Sequence, residues 1–182
     1  MEKFWNYIHY CIYSLYLYSL YLYSYVDPLK LLYKIPLFKK IYKKNGVDDI
    51  NTFIDNTIKD PKDGFSSTWA SIQMGGILVL LEFSLFNIFQ AFLGRSLIQY
   101  IFGSGFYLII FLIGSLIIPG IINYNLLWKK DKYLFYFESF HKQTKKKKKK
   151  WVLITFLFII SVIFFLIFTF YLYSYYCFPK SS

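Results

Sequence analysis

Apolar residues gather in three long runs, at 69–93, 100–128 and 151–178, and charge returns in the stretches between them. The last run is the cleanest, because no charged residue stands between Lys150 and Lys180. As a helix rising ~1.5 Å per residue, those 29 residues reach roughly 44 Å, against ~30 Å of bilayer hydrocarbon. Trp151 at one end and Tyr171, Tyr173, Tyr175 and Tyr176 at the other put amphipathic rings at both water interfaces. The run at 100–128 is also long enough to cross, with a kink predicted at Pro119 and Gly120. Only Leu93, Gly94, Arg95 and Ser96 offer an obvious turn between the first two runs, so they read as a tight antiparallel helical hairpin. Residues 97–102 suit either the turn or the second helix.

The segment from Phe4 to Val26 has 23 uncharged residues, eight tyrosines and a tandem SLYLY repeat. A five-residue period matches neither helix nor strand, so tyrosine hydroxyls spread around any helix formed here. Such a helix suits a bundle or an interface better than open lipid, yet its length and Trp5 favour a crossing. The fold reading is therefore an all-α membrane protein with about four transmembrane helices; three spans plus an interfacial first helix is the alternative. No small-x-small site follows Val26, which argues against a cleaved secretory signal.

From Asp27 to Thr68 the chain is a polar connector of mixed charge, opening on Asp27 and Pro28 as a helix stop. LFKKIYKK at 37–44 places Leu37, Phe38, Ile41 and Tyr42 on one helical face and four lysines on the other, as in a short basic helix lying on an anionic membrane. Val47, Ile50, Phe53, Ile54 and Ile58 then recur at helical spacing, with Asp48 and Asp49 near the helix start. The chain thus divides into a Tyr-rich helix (1–26), a basic connector (27–68), a transmembrane hairpin (69–128), a Lys-rich loop (129–150), a last span (151–178) and a tail (179–182).

Composition favours a membrane protein: 57% hydrophobic and 24% aromatic residues lie far from an ordinary soluble domain. The net charge of +11 would suit nucleic acid, anionic lipid or an acidic partner alike, so its distribution decides. Eight lysines lie between Asp27 and Thr68 and ten between Lys129 and Lys150. Lysine-rich segments beside spans stay on the cytoplasmic side, so both loops are expected there. Residue usage is skewed toward Phe, Tyr, Ile, Leu, Lys and Asn, as AT-rich coding gives, so a lysine run carries meaning only through its position. The run at 145–150 abuts Trp151, the first residue of a span, which sets it at headgroup level rather than on a nucleic-acid surface. Each lysine there is worth ~1 kcal/mol against an anionic leaflet. The expected anionic-lipid contacts are Lys39, Lys40, Lys43, Lys44, Lys145, Lys146, Lys147, Lys148, Lys149 and Lys150. YLFYFESF at 133–140 is too short to span, and its aromatics are expected in the interface, with core packing against the 47–58 helix as the alternative.

Glu82 is the one acid expected at membrane depth, where a charge costs ~2.5 to 3.5 kcal/mol. Folding the hairpin about Arg95 brings residue 82 level with 108–112, which makes Tyr107 and Ser115 its nearest polar candidates. Ser67, Ser71 and Gly75 form a small-residue ladder for close helix packing, within the chain or between copies. Catalytic signatures are missing: GSG at 103–105 lacks the nucleophile-elbow spacing, and no phosphate-binding lysine motif occurs. His9 and His141 lack a second ligand at i+3 or i+4, and Cys11 and Cys177 lack metal or disulfide-framework spacing, a bond between the two being open only where both chain ends face one oxidising compartment. No metal, cofactor or enzyme activity is therefore expected. The sequence reads as a binding or scaffold protein for anionic lipid and other membrane helices, in homo- or hetero-oligomers. The rival is a transport or proton- or cation-conducting subunit using Glu82, with Asn87 and Gln90 further along.

Overall fold

The computed structural model of the chain describes residues 1–26, 35–44, 46 and 50–178. Among them every regular element is helical. The predicted stop at Asp27 and Pro28, and Val47, Asp48 and Asp49 of the predicted second connector helix, lie outside the described residues. In chain order the helices are α1 (Glu2–Val26), α2 (Pro36–Lys44), α3 (Ile50–Lys59), α4 (Phe65–Leu93), α5 (Ile98–Phe102) and α6 (Gly105–Asn123). A π turn (Tyr124–Trp128) and a 3-10 turn (Lys129–Asp131) lead into α7 (Lys132–His141) and α8 (Lys145–Cys177). Three helices are long and apolar enough to cross a membrane: α4, α6 with its continuation, and α8.

α4 stops at Gly94, whose φ of 62° is the left-handed conformation that only glycine adopts without strain; its N–H closes the last turn on the Ala91 carbonyl. Of the two readings of residues 97–102 the first holds: they belong to the connection, where 98–102 form the short α5 ahead of α6. α4 and α6 run antiparallel. Phe111 packs on Phe83 and Phe86 at ring separations of 6.5 and 5.2 Å, while near the other end Asn123 stands beside Gly75. Residue 82 is thus level with the middle of α6, somewhat further along than the 108–112 of the simple hairpin.

α4 and α8 run parallel. Ala70, Met74 and Ile77 share a core with Val162, Phe158 and Ile159; further along, Phe83 meets Phe170 at 5.9 Å, and the Cys177 thiol donates to the Gln90 carbonyl at 3.4 Å. Ala70, Ile77 and Ser84 are buried seven residues apart on α4, and Thr155, Val162 and Thr169 repeat that spacing on α8. A seven-residue seam of small and β-branched side chains is what lets two helices approach closely in lipid, where dispersion replaces the hydrophobic effect as the attractive force. α6 is the peripheral span, with only Pro119 and Asn123 buried on it. Both cysteines are free. Cys11 lies near Thr155 and Cys177 beside Gln90, roughly 33 Å apart along α8 at ~1.5 Å per residue, so no bond joins them.

Candidate functional site

α1 packs on the lysine-bearing ends of all three spans. Its buried face is polar and aromatic, with Trp5, Asn6, Tyr7, Ile8, His9, Cys11 and Tyr13 each under 9% exposed. The polar side chains of that face have specific anchors. Trp5 Nε1 donates to Asn123 Oδ1 at 3.0 Å, and Asn6 Nδ2 donates to the carbonyls of Glu2 and Leu126, both at 2.9 Å. His9 Nε2 shares a 3.1 Å hydrogen bond with the Ser71 hydroxyl, and Tyr13 donates to the Lys59 carbonyl at 2.7 Å. At the start of the helix Lys132 donates to the Glu2 carboxylate at 2.7 Å, which holds that carboxyl below its usual range. Burial lowers the pKa of His9 to about 4 and raises that of Tyr13 to about 12, so both are neutral at pH 7.

α7 closes over α1. Tyr133, Phe137 and Phe140 are buried against Tyr7, His9, Tyr10 and Tyr13, with Tyr10 and Phe140 4.3 Å apart. Core packing, the alternative reading of the 133–140 aromatics, thus holds for these three rings with α1 as the partner in place of the 47–58 helix, whereas Phe135 faces outward at 70% exposure. The cause is an aromatic partner face on α1, built from Tyr7, His9, Tyr10 and Tyr13, that the Tyr-rich sequence disguises. α1 and α7 together make an aromatic collar, pinned by side-chain hydrogen bonds to the ends of the spans.

The lysines surround this collar. Lys145 to Lys150 are the first residues of α8, helical and continuous with the span; all are exposed except Lys148, which donates to the His141 carbonyl at 2.8 Å. Six cations at a helix N-terminus oppose the helix dipole, which favours anions there. On α2, Lys40, Lys43 and Lys44 are exposed, and of Lys39 only the backbone is described.

The small-residue ladder meets this same collar. Ser67 is buried, Ser71 binds His9, and Gly75 lies 3.7 Å, measured from a Cβ placed on it, from Asn123 Nδ2. The sequence alone gives His9 no role and does not single out Asn6, Asn123 or Trp5 as a set. The available signal is the spacing of Asn6, His9 and Tyr13, which places them on one helical face.

A cleft of about 1280 Å³ opens between α1, α4, α6 and α8 on the same side. Thr68, Ser71, Asn123 and Trp128 mark its lysine-side end, and Leu80 and Leu116 its far end. Beyond that, the Phe83, Phe86 and Phe111 rings bring α4 and α6 together.

Glu82 sits apart from the collar. Both of its carboxylate oxygens are shielded and neither has a hydrogen-bond partner among the described residues. Tyr107 points outward, 57% exposed, and Ser115 donates to the Leu112 carbonyl of its own helix at 3.0 Å, so neither reaches Glu82. Further along α4, Ser84, Asn87 and Gln90 are fully buried. Gln90 Oε1 accepts from the Leu97 N–H at 2.8 Å, while both amide atoms of Asn87 are unpartnered among the described residues. Among the described residues no group of three or more His, Cys, Asp or Glu side chains is placed to hold a metal ion.

Comparison of the chain with protein-family models, with curated proteins and with solved structures finds no match.

Proposed function

We propose that this is a three-span membrane protein whose first helix lies at the lysine-side interface, and that it works as a non-enzymatic binding or scaffold component for anionic lipid and other membrane helices. The observation that carries the reading is the continuity of the lysine run with α8. The six cations start the same helix that spans, so they are held at headgroup depth. Anionic headgroups offset both their mutual repulsion and their unfavourable place at a helix N-terminus. The partners of α1 support the three-span arrangement, because the hydrogen bonds from its buried face go to a neighbouring turn or to the lysine-bearing side of the bundle. The outward face of α6, with Ile109, Ile113 and Ile117 more than half exposed, is the surface offered to lipid or to partner helices. Both lysine-rich stretches are then cytoplasmic.

Two measurements test this. Cysteines introduced singly as Lys3→Cys, Lys147→Cys and Arg95→Cys, in a background lacking Cys11 and Cys177, are labelled in sealed vesicles. The first two react from one face and Arg95→Cys from the other; a four-span arrangement puts position 3 with position 95. Replacing Lys145 to Lys150 by glutamine lowers affinity for vesicles containing phosphatidylglycerol and leaves affinity for pure phosphatidylcholine unchanged. Equal loss on both would remove the anionic-lipid role.

A second reading, a proton- or cation-conducting subunit, rests on the shielded and unpartnered Glu82 carboxylate. Flux through reconstituted vesicles that Glu82→Gln abolishes, with assembly intact, would establish it. Absence of flux in the parent chain would dismiss it.

A further inference from the structure

Building on the three-span reading, we infer that the cleft between α1, α4, α6 and α8 holds the acyl portion of an anionic phospholipid from the lysine-side leaflet. The length of the cleft is the first reason. Its wall runs along α4 from Thr68 to Leu80, roughly 18 Å at ~1.5 Å per residue, close to the ~15 Å of one leaflet's share of the hydrocarbon. It stops where Phe111 meets Phe83 and Phe86, which suits a chain ending at mid-bilayer and leaves no channel for a partner helix crossing both leaflets.

The polarity of the cleft follows that of a lipid along the same axis. Apolar Leu80 and Leu116 lie deep, and the Ser71 hydroxyl and the Asn123 amide lie toward the lysine side. Indole N–H can only donate, so the Trp5 bond fixes Oδ1 of Asn123 toward α1 and leaves Nδ2 on the α4 side, beside Gly75. An ester or phosphate oxygen is the natural acceptor for that donor. At the rim Trp128 is followed by Lys129 and Lys130, both exposed and in no ion pair among the described residues, which selects an anionic headgroup. The volume of about 1280 Å³ exceeds the ~300 to 1,000 Å³ of ordinary small-ligand pockets. Glycines keep it open: a Cβ placed on Gly76 or Gly120, both on the wall, meets nothing within 4 Å.

Those two glycines supply the test. The full chain, purified in mild detergent with phosphatidylglycerol added, is examined by native mass spectrometry beside Gly76→Leu/Gly120→Leu and the glutamine variant of 145–150. The parent and the glutamine variant are expected to keep one tightly held phosphatidylglycerol, and the leucine variant to lose it with Cys11 still protected from maleimide. Retention by the leucine variant overturns the inference, as does retention lost only in the glutamine variant, which assigns the lipid to the lysine run and leaves the broader proposal standing. A parent dimer that the leucine variant converts to monomer also overturns it, by giving the cleft to a second copy. Phosphatidylglycerol carrying a photoreactive group on its acyl chain gives a second readout should the leucine variant expose Cys11. Crosslinks to Ile72, Leu80 or Leu116 support the cleft, and crosslinks confined to the outward face of α6 refute it.

Discussion

His9 is a neutral imidazole sealed under Tyr133 and Phe137, with Ser71 on Nε2. Its folded pKa of about 4 lies below the ordinary ~6.5, so the undocked state binds a proton that the docked state refuses. Above pH 6.5 the residue contributes no pH dependence. As pH falls from 6.5 toward 4, the docking of α1 loses up to about 3 kcal/mol, at ~1.4 kcal/mol for each pH step of one between those two values. The expected outcome is faster maleimide labelling of buried Cys11 across that window, in a Cys177→Ser background. His9→Gln should flatten the slope, while carboxylate titration remains in both. Glu82 teaches the opposite lesson: its depth is legible from the apolar run around it, but its neighbours are not. Whether Tyr107 or Ser115 reaches it depends on how α6 is rotated about its own axis, and a sequence that is apolar on every side of α6 carries no such signal.

α1 is the element whose identity is hardest to read. Length and lack of charge argue for a span, and the SLYLY repeat hides a sharper division. Residues 5–13 carry the buried face, while Leu15, Tyr18, Tyr21 and Leu22 of the repeat are about half exposed or more. A buried face rich in Asn, His and Tyr is legible only once its acceptors are known, because backbone carbonyls at 59 and 126 leave no trace in the sequence. The pairing of α4 with α6 is legible because a short connection forces it. The parallel α4–α8 seam is not, since a connection of about 50 residues constrains nothing. At this scale Asn123→Ala, which strands the Trp5 N–H, should weaken α1 docking by about 1–3 kcal/mol and raise Cys11 labelling accordingly. Ala70→Leu, placed where α4 leaves no exposed surface, should cost about 1–3 kcal/mol through overpacking, read as a lower midpoint of thermal unfolding in detergent.

On the scale of the whole molecule, cations concentrate at one end of the bundle, while the other end carries Arg95 and the buried amides of Asn87 and Gln90. That polarity is legible from lysine positions alone, since a charged loop beside a span declares its depth. Binding to phosphatidylglycerol vesicles should therefore weaken steeply between ~0.05 and ~0.5 M salt, as the Debye length shortens from over 10 Å toward ~4 Å. Binding that ignored salt would place the affinity in apolar contacts instead.

The parallel pairing of α4 with α8 also bears on biogenesis. A ribosome delivers α4 and α6 first, and the main partner of α4 emerges only after the intervening loops. Until then Ser84, Asn87 and Gln90 face acyl chains or the insertion machinery. Chains stopped before residue 145 should thus insert yet remain prey to membrane quality-control proteases, and co-expressing α8 as a separate fragment should lengthen their lifetime in a pulse-chase.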